Sequence, residues 1–367
     1  MPARRFLAIP PPADPSPRWH VSPGVDLLAY AFGWAFILVP LELLRGRSAQ
    51  TAMLLLVIGL TFAHRHYTLP YVYLDREVFR LHPWRFVLFP ALMFLGFLAS
   101  PALWNTRWRS LVAGVVLFAG VWNAWHVYMQ KFGILRLYAA KGGGQVPIPR
   151  GVDKLLLFAW VPLYLVWLLP KWRDQFLFYY PTVSQYTRPL LDWLARAQPY
   201  LLVPAVATVV ASLTLFVRHE WRSTRLRNLP RLWMALGTTA LSASFLVCNP
   251  VHVALAFAFS HAVEYMVFVW AFQRRRYQRP LPHDPLLGRL LRRPWLAYGG
   301  YTVALVVPYL LLRTYGSLIA PEAHSPFLLG TTLERWGFYW SVYQSLVHFY
   351  YDGFLWKMRL PSVRANI

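Results

Sequence analysis

Long runs of apolar residues, separated by shorter polar and proline-containing segments, make up most of this chain. Each run has close to the roughly 20 residues that a helix needs to cross the hydrocarbon core of a membrane. The pattern predicts an all-α fold, a polytopic integral membrane helical bundle with about ten transmembrane helices. The predicted spans are residues 26–43, 51–70, 86–104, 110–129, 154–170, 199–217, 231–248, 251–272, 296–315 and 334–356.

The segments outside these spans are mostly short. We expect residues 1–24 to form a flexible, Pro-rich cytoplasmic tail, residues 25–357 a single transmembrane helical domain, and residues 358–367 a cytoplasmic C-terminal tail. The aromatic-rich segment 171–198 is predicted to lie in the membrane interface. Nothing in the pattern indicates an internal repeat or a separate soluble domain.

Composition agrees with this class, since 57% of the residues are hydrophobic, only 14% are charged, and the mean hydropathy is +0.38. The excess of 37 Lys and Arg over 14 Asp and Glu would suggest binding to nucleic acid if the protein were soluble. Most of the basic residues lie between apolar runs, where they set membrane topology and contact anionic lipid headgroups. We therefore expect no nucleic-acid partner.

Basic residues are concentrated in alternate loops, and these loops are predicted to face the cytoplasm together with both termini. This arrangement is that of a multi-pass protein of the bacterial inner (cytoplasmic) membrane. The basic residues that carry the assignment include Arg4, Arg5, Arg76, Arg80, Lys131, Arg136, Lys141, Arg218, Arg222, Arg225, Arg227, Arg274, Arg275, Arg276, Lys357 and Arg359.

The single cysteine, Cys248, excludes an intrachain disulfide, a cysteine-ligated iron–sulfur cluster and a cysteine-rich zinc site. Any metal site in this chain therefore depends on nitrogen and oxygen ligands.

Two acids lie well inside predicted spans, Glu264 in 251–272 and Asp352 in 334–356. A lone carboxylate at mid-membrane costs about 2.5–3.5 kcal/mol even on the lenient insertion scale, so it needs a partner or a function. Each acid shares a helix face with a histidine, because His261 precedes Glu264 by three residues and His348 precedes Asp352 by four. Simple pairing between helices is the structural alternative for both.

The predicted topology brings histidines from four spans to one depth. The second, fourth, eighth and tenth spans all run from outside to inside, and each has histidine in its inner half. At ~1.5 Å per residue, these histidines lie about 8–16 Å below the cytoplasmic boundary, taken for the fourth span at Lys131. They are His64, His66, His126, His261 and His348.

His64 and His66 are two residues apart, so a regular helix would direct them to opposite sides. Pro70 clashes with the carbonyl of residue 66 and is expected to break the helix there. An unwound segment 64–70 would let both rings face inward. Tyr67, Tyr343 and Tyr350 are candidates for hydrogen bonds to the ligands, and Gln344 for orienting His348.

The remaining histidines are expected to have ordinary roles, because they lie in tails and loops or far from this layer. They are His20, His82, His219, His283 and His324, which we expect to face solvent, and His252 at the outer end of the eighth span.

Imidazoles and carboxylates without thiolates suit iron, zinc, copper or manganese. The donors are numerous enough for one ion or two. A site beneath the inner headgroups suits a substrate with a polar head and a long hydrocarbon tail. The predicted metal ligands are His64, His66, His126, His261, Glu264, His348 and Asp352.

The motifs HRHY at 64–67, HAVE at 261–264 and HFYYD at 348–352 resemble the broad class of histidine-rich membrane iron enzymes. This class includes fatty acyl desaturases and hydroxylases and the bacterial carotene-cleaving dioxygenases. The desaturase boxes HxxxH and HxxHH are absent, so no residue role is carried over. The resemblance implies non-haem iron, one or two ions, and an oxygenase or desaturase type of oxidoreductase in lipid metabolism, with a possible electron-donor or subunit partner.

Two other functions fit the same sequence. One is a haem-binding electron-transfer subunit, in which two histidines on facing helices ligate the iron. The other is a transporter or assembly subunit that uses Glu264 and Asp352 for protons or cations. The absence of an obvious role for the two acids disfavours the haem protein.

Overall fold

The computed structural model describes residues 19–44, 46–104, 106–142, 146–179, 181–278, 288, 294–314, 333–356 and 363. Within this part of the chain the protein is all-helical and has no strand, which confirms the predicted all-α class. The N-terminal tail, most of the loop before residue 294 and most of the C-terminal tail lie outside the described residues, as do His283 and His324.

From Pro23 to Tyr277 the helices follow one another with short connections. Their bounds are α1 Pro23–Asp26, continued by a π turn Leu27–Ala31, α2 Ala35–Leu43, α3 Arg47–His64, α4 Thr68–Tyr73, α5 Arg76–Leu81, α6 Pro83–Trp104, α7 Arg109–Lys141, α8 Arg150–Phe158, α9 Trp160–Tyr179, α10 Pro181–Thr224, α11 Leu229–Ser244, α12 Pro250–Tyr277, α13 Pro294–Thr314 and α14 Leu333–Leu355.

Six helical segments among the described residues are long and apolar enough to cross a membrane. A seventh is counted if the pair Pro23–Ala31 and Ala35–Leu43, which is bent by 56°, forms one span. The predicted spans 231–248, 296–315 and 334–356 lie on α11, α13 and α14, which are shorter or more polar over their described residues. The six segments are Ser48–Tyr73, Pro83–Trp104, Arg109–Lys141, Arg150–Leu168, Arg188–Thr224 and Pro250–Tyr277.

The second span is broken where Pro70 predicts a break. α3 ends at His64, and residues 65–67 form a tight turn in which the amides of His66 and Tyr67 bond to the carbonyls of Ala63 and His64. Pro70 has no N–H for the carbonyl of His66. That carbonyl accepts instead from the N–H of Leu69 at 3.0 Å and from the hydroxyl of Tyr301 in α13 at 3.0 Å. The break is therefore satisfied both locally and from a neighbouring helix.

α12 is the central helix of the bundle and packs against α2, α3, α7 and α11, while α14 packs against α6, α7 and α13. α12 is also the most buried of the six candidate spans. The inner faces of α3, α7, α12 and α14 therefore meet around a common interior. α11 crosses the π turn closely, because a Cβ added to Gly237 would lie 2.0 Å from the carbonyl oxygen of Ala31.

A buried arginine joins several helices inside the bundle. Arg231 of α11 is fully buried and donates to Glu220 of α10, Asp153 of α8 and the carbonyl of Leu135 in α7. A buried charge requires such pairing and full hydrogen bonding to be tolerated. This single guanidinium thus ties four helices together.

Candidate metal centre

Four helices each contribute one histidine to a compact group: His64 at the end of α3, His126 of α7, His261 of α12 and His348 of α14. The ring of His64 is centred 4.9 Å from the rings of His261 and His348. The ring of His126 is 5.1 Å from His261 and 4.9 Å from His348. Neighbouring rings are nearly perpendicular, at 74–88°. Each of the four imidazoles therefore has two others as close neighbours.

These rings are buried, with at most 7% exposure, yet most of their nitrogens have no hydrogen-bond partner. Both nitrogens of His64, His261 and His348 and the Nε2 of His126 are unpartnered. Each buried polar atom left unsatisfied costs about 1–3 kcal/mol. Seven such atoms on neighbouring rings would be costly without a further partner.

Asp352 completes the group on one side. Its Oδ2 lies 3.7 Å from Nε2 of His126 and 3.6 Å from Nε2 of His348, too far for a good hydrogen bond. Its Oδ1 accepts hydrogen bonds from the hydroxyl of Tyr265 at 2.8 Å and from Nε1 of Trp356 at 3.0 Å. The carboxylate therefore has one engaged oxygen and one oxygen that faces the imidazoles.

The ring spacings match those of imidazoles around a single metal ion. With metal–nitrogen bonds of about 2.1 Å, ring centres lie roughly 6.5 Å apart at opposite positions and roughly 4.6–5.3 Å apart at adjacent positions. His261 and His348 are 6.4 Å apart, and the adjacent pairs are 4.9–5.1 Å apart. Two sets with ligand atoms within 4.8 Å of one another share His348: His64, His261 and His348, and His126, His348 and Asp352.

Glu264, a predicted ligand, is fully engaged elsewhere. Its Oε1 accepts from Nζ of Lys131 at 2.5 Å and from Oγ of Ser260 at 2.6 Å, and its Oε2 accepts from Gln130 at 3.2 Å. Gln130 also donates to the carbonyl of His261 at 2.9 Å. The acid therefore supports the helix that carries His261 and does not join the donor group in this geometry. Its role as a ligand stays a prediction.

His66 is buried beside the group but directed away from it. Its Nδ1 lies 2.9 Å from the carbonyl of Phe62, and its ring packs on that of Phe62 at 4.5 Å. Because of the break at 65–67, His64 faces the other histidines, whereas the ring of His66 packs against the end of α3, the helix that precedes it. The expectation that both rings face inward is not met.

Sequence reasoning missed the residues that support the donors. Lys131, which the sequence places at the cytoplasmic boundary of the fourth span, is buried, with 1% exposure. Tyr265 and Trp356 bind Asp352, whereas Tyr67 bonds to Thr302. The only available signal was spacing, since Trp356 follows Asp352 by one turn. Of the other residues proposed to support ligands, Tyr343 bonds to Ser100, Tyr350 stacks on Phe89 and Gln344 lines a cleft.

The expectation for His20 was wrong, because this residue is buried and not solvent-facing. Its Nδ1 lies 2.8 Å from the hydroxyl of Tyr30, and its backbone N–H donates to Asp26. Burial, with Arg275 and Lys141 nearby, lowers the pKa of His20 to about 3. His252, by contrast, contacts Glu42 at 2.9 Å, remote in the fold from the donor group, as expected.

Comparison with known proteins identifies no relative: no protein-family model, no curated protein and no solved structure matches the chain. The site's chemistry is therefore inferred from its own geometry.

Proposed function

We propose that this chain is an integral-membrane metalloprotein in which His64, His126, His261, His348 and Asp352 bind a metal ion. The observation that supports this most strongly is the group of four adjacent, buried imidazoles, each with at least one ring nitrogen that has no hydrogen-bond partner. A structural role would satisfy these atoms by hydrogen bonds within the protein. The spacing of the rings and the free Oδ2 of Asp352 support the same conclusion.

The donor set favours non-haem iron. Four imidazole nitrogens and one carboxylate oxygen, without thiolate, suit iron, zinc, copper or manganese. Five protein donors leave one position of an octahedron free for a small molecule. Iron supplies redox chemistry with dioxygen, which acts on hydrocarbon groups that give hydrolytic zinc nothing to attack. We infer a membrane oxidoreductase of the oxygenase or desaturase type.

A cleft beside the centre supports a lipid-like substrate. Its volume is about 200 Å³, and it lies between α4, α6 and α14. Its lining is mostly apolar or aromatic and includes Leu69, Met93, Phe97 and Val347. Gln344, which also lines it, is one helical turn before His348. A hydrocarbon chain entering from the membrane would therefore reach the helix that carries two of the donors.

The finer topology is part of the proposal. The basic loops support ten spans, both termini in the cytoplasm, and a bacterial inner-membrane protein that takes its substrate from the cytoplasmic leaflet. Each of the ten predicted segments is helical over its described residues or crosses only a short break.

The geometry favours an ion over the two alternative functions. A haem needs a flat space between two axial imidazoles, whereas each of these four rings has two others within 4.9–5.1 Å on different sides. A cation or proton carrier would need a free acid at Glu264, and Lys131 already neutralises that carboxylate. Neither alternative provides a partner for all four rings.

The test is metal analysis and an optical spectrum of the detergent-purified protein. We expect about one iron per chain and no Soret band. We expect His348→Ala to lose the metal and Asp352→Asn to bind it more weakly. His252→Ala is the matched control, because it changes another histidine of α12. His252 lies 2.9 Å from Glu42 and is not one of the proposed ligands. Less than about 0.2 metal per chain in the wild type would contradict the proposal.

A further inference from the structure

Asp352 is held by a set of hydrogen-bond donors that leaves its two oxygens unequal. The hydroxyl of Tyr265 and the Nε1 of Trp356 both donate to Oδ1. Thr68 of α4 is bonded to the hydroxyl of Tyr265 and lies 3.5 Å from the same Oδ1. Oδ2 receives none of these bonds and faces His126 and His348.

Tyr265 is central to this arrangement. Its hydroxyl contacts Thr68 and Asp352 and accepts from Trp356 at 3.1 Å, while its ring packs edge-on against His348 at 4.8 Å and His64 at 5.7 Å. The residue is 3% exposed. It therefore contacts one carboxylate and two of the four imidazoles, without offering a free donor atom toward the centre.

We propose that Tyr265, with Thr68 and Trp356, forms a positioning triad that orients Asp352 so that its Oδ2 is the metal ligand. This inference rests on the proposed function. Partners that hydrogen-bond to a ligand fix its orientation, and their loss commonly weakens metal affinity about 10–100-fold. The triad joins α4, α12 and α14, so the break after His64 places Thr68 where it supports the carboxylate.

The experiment measures Co²⁺ binding by the metal-depleted, detergent-purified full chain. Affinity comes from competition with a chelator, and the visible absorption of bound Co²⁺ reports the ligand geometry. Tyr265→Phe is expected to weaken binding about 10–100-fold and to shift the absorption bands. Tyr138→Phe is the matched control, because it removes the same kind of phenol–carboxylate bond, to Asp26 at 2.7 Å, away from the centre.

A double-variant comparison separates positioning from general structural damage. If Tyr265 acts through Asp352, Tyr265→Phe has no further effect on Co²⁺ affinity in the Asp352→Asn background. Trp356→Phe, which removes one donor to Oδ1 and keeps an aromatic ring, provides a second variant if Tyr265→Phe does not fold.

The outcomes distinguish the two proposals. Wild-type protein that binds no Co²⁺, or binds it equally after His348→Ala, would overturn the proposed function. Wild-type binding that depends on His348 but is unchanged in affinity and spectrum by both Tyr265→Phe and Trp356→Phe would overturn the positioning triad alone. Equal losses in the presence and absence of the Asp352 carboxylate would also overturn it.

Discussion

Lys131 and Glu264 neutralise each other inside the bundle, with Nζ and Oε1 2.5 Å apart and exposures of 1% and 0%. Removing one member of a buried ion pair leaves the other charge without compensation, which costs about 3–5 kcal/mol. We expect Lys131→Met to lower the free energy of unfolding by that amount. Thermal or denaturant unfolding of purified protein measures it. Lys154→Met, at an exposed lysine, is the control and should change stability little.

Glu264→Gln separates stability from metal binding. Because the carboxylate is engaged by Lys131, Ser260 and Gln130, we expect the variant to be less stable but to keep its metal. Metal content per folded chain is the measurement. Loss of metal without loss of stability would instead indicate that Glu264 is a metal ligand.

His20 makes stability depend on pH. Its pKa is lowered from 6.5 to about 3 by burial and by Arg275 and Lys141, so the unfolded chain binds the proton more readily. The stability from burying neutral His20 is complete above pH about 6.5 and is lost progressively as the pH falls toward 3. Unfolding temperatures of wild type and His20→Gln should converge over this range. A constant difference would contradict the assignment.

The sequence predicted which of these side chains come together better than it predicted their hydrogen-bond partners. His64, His126, His261, His348 and Asp352 follow from the depth of each span and from helical spacing, which are local properties. The pairing of Glu264 with Lys131 joins residues 133 apart in the chain. Nothing local distinguishes a lysine at a membrane boundary from one that turns inward to meet an acid.

At the level of elements, the close approach of α11 to the π turn leaves no space for a side chain at Gly237. A Cβ there would lie 2.0 Å from the oxygen of Ala31 in the π turn. We expect Gly237→Ala to destabilise the protein by about 1–3 kcal/mol, since α11 must move away. Gly120→Ala on α7, where nothing lies within 4 Å, is the control. It should be neutral or stabilising by up to about 1 kcal/mol.

Apolar runs predicted the helices well, because a segment in lipid must satisfy its own backbone hydrogen bonds, and a helix does this within the segment. They did not predict the π turn after α1, the 56° bend after it or the division of the fifth span at Ala159. These features depend on which neighbour packs against each segment. The break before Pro70 was predicted, because a proline removes one helical hydrogen bond whatever packs against it. Other prolines, such as Pro90 and Pro101, lie inside a continuous helix, so packing also decides where a helix breaks.

For the whole molecule, chemical labelling of the single cysteine tests which loops face the outside of the membrane. Cys248 lies in the short turn between α11 and α12, which the basic loops place outside. We expect a membrane-impermeant maleimide to label it in intact spheroplasts. Leu226→Cys in a Cys248→Ser background should be labelled only after permeabilisation, because residue 226 connects α10 and α11 on the opposite side. The reverse pattern would invert the topology.

The ion pair between α7 and α12 also bears on how the protein is made. Lys131 is synthesised 133 residues before Glu264, so at about 5–20 residues per second roughly 7–27 seconds separate them. During that interval Glu264 cannot pair with Lys131, and we expect the lysine side chain to extend toward the headgroups. We therefore expect α7 to reach its final position only after α12 has been inserted.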